Sequence, residues 1–173
     1  MKALFKCVSI LLIAVFAFGS FAPAAQAAPK GNTIVDVALA ANQSSGEFSI
    51  LIAALQAADP AVLRTLDGKG QFTVFAPTDA AFVALLGELG LTADQLLSNQ
   101  ALVTQVLLYH VARGNRNSDA ILGSSRIRTL NGGFLFQSDG VLTDANGRTA
   151  NIVATDIRAS NGVIHVIDRV VLP

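Results

Sequence analysis

The sequence predicts an α+β fold, and three observations carry that prediction. Helix-start signals followed by apolar residues at i, i+3, i+4 spacing dominate Thr33 to Val111. A single short run, Phe72-Thr73-Val74-Phe75-Ala76, interrupts them with the pattern of a buried strand. From Ile127 onward, Asn-Gly turns separate β-rich runs, so strands follow helices in a block and do not alternate with them.

Thr33 and Asp36 fit a capping box ahead of an apolar stripe at Ile34, Val37, Ala38 and Ala41. Ser44 and Glu47 predict a second box before Phe48, Leu51, Ile52 and Leu55. Asp59-Pro60 places a cap and then a proline at the first helical position, so a short helix runs to about Leu66. Gly68-Lys69-Gly70 ends it. Pro77 stops the Phe72–Ala76 strand because it brings no N–H to the ladder. Thr78 then caps a helix from Asp79 to Leu86, with Asp79 at its positive end. Thr92 and Gln95 start another, and Asn99 to Leu108 a longer one with Leu102, Val103, Val106 and Leu107 turned inward.

Ser118 to Leu122 reads as a brief capped turn. Ile127–Leu130 and Phe134–Gln137 flank Asn131-Gly132-Gly133, a tight-hairpin signal, and Asn146-Gly147 marks another turn. Asn151–Ala159 is strand-like, Ser160-Asn161-Gly162 reverses the chain, and Val163–Leu172 predicts a long strand buried on both faces.

The chain has 173 residues with 12 basic and 12 acidic side chains, a balance that gives nucleic acid no electrostatic footprint. Lys2 and Lys6, the apolar run Val8 to Phe18, and Ala25-Gln26-Ala27 form an export leader over residues 1–27, cleaved after Ala27. A run of eleven residues is too short to span a bilayer. Cys7, the only cysteine, precedes that run, so it is no lipidation site and leaves with the leader. The mature product then has no disulfide, thiolate nucleophile or Cys metal site. It reads as a lead-in, 28–32, and one domain, 33–173, expected in the periplasm or outside the cell.

Catalytic motifs are missing from the sequence. It has no G-x-S-x-G elbow, H-E-x-x-H, P-loop or dinucleotide fingerprint, and neither His110 nor His165 has a helical partner for a metal. The chain is therefore read as a non-enzyme with no cofactor and no metal. A Ser-His-Asp triad, defined by geometry, has no nominee. His165, inside Val163–Ile167, reads as a neutral imidazole buried in a sheet, and Tyr109 and His110 as packed rings at a helix end. Asn42-Gln43-Ser44 is a glycosylation sequon, and Asn146-Gly147-Arg148 resembles an adhesion tripeptide but reads as a plain turn.

Three segments together resemble fasciclin-like (β-Ig-H3) domains. Phe72–Phe82, with Phe75, Pro77, Thr78 and Asp79, is similar to their first box. Leu107-Leu108-Tyr109-His110 is similar to their Tyr-His motif, and Asn161–Pro173, with Gly162 and His165, to their second box. The resemblance implies a wedge: a twisted β-sandwich with helices packed along one edge, serving extracellular adhesion to a protein or matrix-type partner. In animal members the Tyr-His region is implicated in integrin recognition, which points to Leu107, Leu108, Tyr109 and His110 here. The adhesion role carries over as a class; the integrin target does not. Since the resemblance makes the boxes neighbours, the Asp79 carboxylate is expected to accept a hydrogen bond from His110 or from a backbone amide nearby. The apolar surplus supports one alternative, an extracytoplasmic carrier or sensor of a small apolar molecule.

Overall fold

A computed structural model describes residues 31–173, so the leader expected over residues 1–27 lies outside the described residues. The helical half begins as its caps dictate. The Thr33 hydroxyl accepts the Asp36 amide while the Asp36 carboxylate accepts the Thr33 amide, starting α1 (Ile34–Ser45). Asp59 caps α3 (Pro60–Leu66), Thr78 caps α4 (Asp79–Leu89), Thr92 and Gln95 box α5 (Ala93–Ser98), and Asn99 caps α6 (Gln100–Tyr109).

The box expected at Ser44 and Glu47 does not form. α1 continues through Ser45, with the Ser44 and Ser45 hydroxyls donating back to the Ala40 and Ala41 carbonyls, and stops at Gly46 in the left-handed conformation. The following helix α2 (Ser49–Ala57) has no cap from its own N-cap residue, Phe48. Its cap arrives from elsewhere. The Asp79 carboxylate accepts the Ser49 amide at 3.1 Å and the Ile50 amide at 2.8 Å. Asn42, the sequon residue, lies within α1 and its Oδ1 accepts the Phe48 amide at 2.9 Å.

Seven strands form one sheet: β1 (Phe72–Pro77), β2 (Val111–Arg113), β3 (Arg126–Arg128), β4 (Phe134–Ser138), β5 (Val141–Thr143), β6 (Thr149–Ala159) and β7 (Gly162–Ile167), in the order β2-β1-β7-β6-β5-β4-β3. Only β1 and β7 are parallel, pairing Phe72 with Gly162 through Pro77 with Ile167. Ala112 bridges Thr129, and the Leu130 amide donates to the Val111 carbonyl at 2.7 Å, so the two edge strands meet. The result is a nearly closed, barrel-like sandwich with helices packed on it, the predicted α+β class.

Two apolar cores explain the runs in the sequence. Phe72, Val74 and Ala76 of β1, with Ile164 and Val166 of β7, face α1, α2, α4 and α6. Phe75 and Ile167 face the barrel interior, with Ile127, Leu135, Leu142 and Ala150. Each central strand is thus buried on both sides. β7 nonetheless stops at Ile167, five residues short of the prediction, because Asp168 turns out to take the Asn151 amide at 2.8 Å. β2 and β5, three residues each, are too short to show a period, and neither was predicted. The β3–β4 hairpin pairs Arg128 with Phe134, leaving five residues in the loop where Asn131-Gly132-Gly133 suggested a tight turn. α7 (Ser118–Leu122) occupies the expected capped turn.

Gly162 begins β7 so close to β1 that a Cβ there would lie 2.0 Å from the Phe72 carbonyl oxygen and 2.8 Å from Ile34 Cδ1. Backbone cannot yield as a side chain can. Gly162→Ala is expected to cost about 3 kcal/mol or more of unfolding free energy, measured by urea denaturation; a loss below ~1 kcal/mol would show that the strand pair relaxes around a methyl group.

Candidate functional site

The three motifs singled out in the sequence converge on the β1–β7 pair. α6 ends at Tyr109, and its last turn directs the chain into β2, so the His110 carbonyl accepts the Phe75 amide of β1 at 2.9 Å. The parallel register sets Phe75 beside His165, and their rings stack with centroids 5.9 Å apart at 28°. Pro77 closes β1 with no N–H of its own, and the next amide, that of Thr78, reaches the Ile167 carbonyl at 3.2 Å.

Tyr109 is 0% exposed and His110 2% exposed. The Tyr109 hydroxyl donates to the Phe134 carbonyl at 2.7 Å and accepts the Ala145 amide at 3.2 Å, joining α6 to β4 and to the β5–β6 turn. Gly133 sits against the ring; a Cβ there would stand 2.8 Å from Tyr109 Cε2. Burial raises the phenol pKa, an effect that the Ala145 amide opposes and the Asp144 charge reinforces. Leu107 is buried and Leu108 half-buried in the helix-facing core.

Partners fix the tautomer of each histidine. His110 Nδ1 lies 2.7 Å from the Val106 carbonyl and therefore carries the proton, while Nε2 accepts the Val171 amide at 3.3 Å. His165 is the mirror case: Nε2 faces the Arg116 carbonyl at 2.9 Å, and Nδ1 accepts the Asp156 amide at 3.4 Å. All four ring nitrogens are thus paired within the protein. Of the two partners expected for Asp79, the backbone amide is the one found: its carboxylate takes the α2 amides, while His110 is occupied by Val106 and Val171 and makes no bond to it. A helix start with orphan N–H groups was the stronger claimant for that carboxylate.

Three polar residues have structural roles that the sequence did not reveal. Asn161 is 4% exposed; its Oδ1 accepts the Ile34 amide at 2.8 Å, and its Nδ2 donates to the Leu66 and Gly68 carbonyls. Asp144, 2% exposed, accepts amides from Asn146, Arg148 and Leu172, so it shapes the Asn146-Gly147 turn and holds the C-terminal segment. An Asp two residues before Asn-Gly is an Asx-turn signal that would have revealed it. Asp156 has φ 60° at the irregularity in β6 and accepts both the Ser118 amide and the Ser118 hydroxyl. Partial burial pushes its carboxyl up, but the Ser118 bonds, with His165 and Arg158, outweigh that and hold it below its usual value.

Ser118, Asp156 and His165 come together, but not as a triad. The Ser118 hydroxyl donates to the carboxylate, and the imidazole receives the Asp156 backbone amide in place of its carboxylate. Among the described residues no group of three or more His, Cys, Asp or Glu is placed to hold a metal ion.

Residues 46–173 match the family model for the fasciclin domain. The chain belongs to the fasciclin domain family. It is 41% identical over 144 residues to the Synechocystis protein sll1483, covering 82% of this chain and 73% of that one. It is 37% identical over 147 residues to the transforming growth factor-beta-induced protein ig-h3 of Sus scrofa, covering 84% of this chain but only 20% of that much longer protein. A FAS1 domain pair from the insect cell adhesion molecule Fasciclin I shares the fold, with a TM-score of 0.60 at 23% identity over 74% of this chain and 46% of that one. Fasciclin domain proteins are adhesion-related extracellular modules. Among the described residues of this fasciclin domain, no single helix is long and apolar enough to cross a membrane.

Burial lowers the His110 pKa from 6.5 to about 4, against weaker upward pulls from the Val106 carbonyl and the Asp144 charge. As pH falls, the unfolded chain takes up this proton before the folded one. The imidazole's contribution is therefore full above pH 6.5, declines by roughly 1.4 kcal/mol per pH unit below it, and is gone below about pH 4. His110→Asn removes that slope: the difference in unfolding free energy between wild type and variant is expected to shrink from pH 7 to pH 4, and a constant difference refutes the assignment. Asp79→Ala leaves the first amides of α2 uncapped and is expected to cost ~1–2 kcal/mol, read as a lower thermal midpoint with the same folded circular dichroism spectrum; an unchanged midpoint would mean water serves those amides equally well.

Proposed function

We propose that this chain is an exported, non-catalytic adhesion module that meets its partner through the outer sheet face and loops, while the Tyr-His segment is an internal joint. The leader pattern of residues 1–27 supports export, to the periplasm or beyond, and the family supports adhesion. The observation that carries the reading is the fate of Tyr109 and His110: both rings are buried and every polar atom they hold is engaged within the protein. A partner could reach them only by unfolding the seam they close. Exposed apolar side chains stand elsewhere, on Phe134, Phe136 and Val153 of the outer sheet face.

The test uses beads coated with the exported protein and applied to the surface of the cells that make it, with soluble protein as competitor. Specific, competable adhesion is expected, and Tyr109→Phe, which removes only the buried hydroxyl, should lower stability by about 1–3 kcal/mol yet adhere like wild type while folded. Absence of competable adhesion refutes the module; lost adhesion with the fold intact makes Tyr109 a direct contact.

One observation favours a second reading, a carrier of a small apolar molecule. A cleft of about 300 Å³ between α4, α5 and α6 is lined only by apolar residues, among them Phe82, Leu89, Leu91, Val103 and Leu172. That is the lower end of ligand-pocket sizes. Mass spectrometry of an organic extract of the native protein should find a stoichiometric lipid if this reading holds; a clean extract rejects it.

A further inference from the structure

The charge of this chain balances overall but not locally. Among the described residues up to Tyr109 there are seven carboxylates and two cations, Arg64 and Lys69; beyond it there are seven arginines and five carboxylates. Among the described residues, the only ion pairs run from Arg148 and Arg169 to the same Glu88. Of the five arginines beyond Tyr109 outside those pairs, Arg113, Arg116, Arg126 and Arg128 lie together.

The backbone explains why they meet. β2 and β3 close the barrel through a single bridge, Ala112 to Thr129, whose side chains point inward and are buried. In an antiparallel bridge the next pair outward is Arg113 opposite Arg128, so both guanidinium groups fall on the outer face of the seam. Like charges directly opposed across strands are unfavourable. Arg116 adds a third, and the three line a cleft of about 410 Å³ completed by Thr129, Leu130 and Gly132, with no acidic residue in its wall. A closure seam this short tolerates three facing cations poorly unless an anion joins them.

The cleft opens onto more of the same chemistry. On the outer face of the β3–β4 hairpin, Arg126 opposes Phe136 and Arg128 opposes Phe134. Phe134 and Phe136 are 36% and 49% exposed, and the Arg126 guanidinium lies 5.1 Å from the Phe134 ring centre. Arg128 thus belongs to both the cleft and the face. Cations that pair with oxyanions alternate here with flat apolar rings that can cover the C–H face of a sugar.

We propose that the β2–β3 seam and the adjoining β3–β4 face form a binding site for an anionic polysaccharide, a chain of sugars carrying carboxylate or sulfate groups. Acid groups sit among Arg113, Arg116 and Arg128, while sugar rings lie against Phe134 and Phe136. This rests on the reading of the chain as an exported adhesion module and names the chemistry of its partner. A single-stranded nucleic acid also offers anions and flat rings, but the export on which this proposal rests removes the protein from it.

The experiment measures retention of the exported protein on immobilised alginate, a polyuronate, and on a sulfated dextran, with neutral dextran as control and single-stranded DNA as competitor. Binding to at least one anionic gel, none to neutral dextran, and weakening as salt rises are expected. Arg113→Glu with Arg128→Glu should weaken retention at least tenfold while keeping the folded circular dichroism spectrum of wild type; Arg64→Glu, on the helical half, should bind like wild type. Phe134→Ala with Phe136→Ala should weaken retention with the charge unchanged. Retention on neither gel, retention indifferent to the Arg113 and Arg128 changes, or an equal loss in Arg64→Glu overturns the site. DNA displacing the protein at lower charge concentration than the polysaccharide does would make nucleic acid the occupant and overturn it too. Beads of the double-Glu variant separate the two readings: intact cell adhesion despite lost retention overturns anionic polysaccharide as the module's partner and leaves the adhesion module standing, whereas beads of wild type that never adhere reject the adhesion module whatever the gels show.

Discussion

The parallel pairing of β1 with β7 is the constraint on which the rest of the structure depends. It joins Phe72 to Gly162, ninety positions apart, and so bears the closure entropy of most of the domain. Both strands are buried on two faces, one by helices and one by the barrel interior, and this double burial offsets that cost. No βαβ crossover of ordinary length links them; α4 to α7 and five other strands intervene. Contacts this distant in sequence place the domain among slowly forming topologies.

Buried polar groups act as joints around that pair. His110 ties α6 to the Val170–Leu172 segment, Tyr109 ties it to β4 and the β5–β6 turn, His165 ties β7 to β6 and the α7 approach, and Asn161 ties the β6–β7 turn to α1 and α3. Each satisfies backbone groups that loops crossing a core would otherwise leave unpaired. A residue used this way holds separate elements together inside the protein. The Tyr-His motif of this fasciclin domain has that character.

Because the joints are internal, the outer surface is free to specialise. The helical half is acidic and the sheet half carries the arginines, so a nearly neutral chain presents two faces of opposite sign. The place where the barrel barely closes is also where unpaired guanidinium groups gather. Weak closure at a seam is a structural expense, and a seam that doubles as a binding cleft is one reason to keep it.

Much of this was legible in the sequence because it is local. Thr33 with Asp36, Asp59 with Pro60, and Thr92 with Gln95 are caps whose partners lie within three residues, and each formed as read. The apolar runs Phe72–Ala76 and Val163–Ile167 showed strands buried on both faces, and the block order of helices and strands showed the fold class. What failed was non-local. Ser44 and Glu47 looked like a cap, yet α2 is capped by Asp79, thirty residues away, which no spacing rule encodes. β2 and β5 exist only because neighbours hold them, and β7 ends early because Asp168 found a partner on β6. The candidate cleft divides the same way. The arginines are plain in the sequence as Arg113, Arg116 and Arg128, but fifteen residues separate the two that face each other. Composition determined that they exist; only the closing of a barrel, which brings the first and last strands of its order together, decided that they meet.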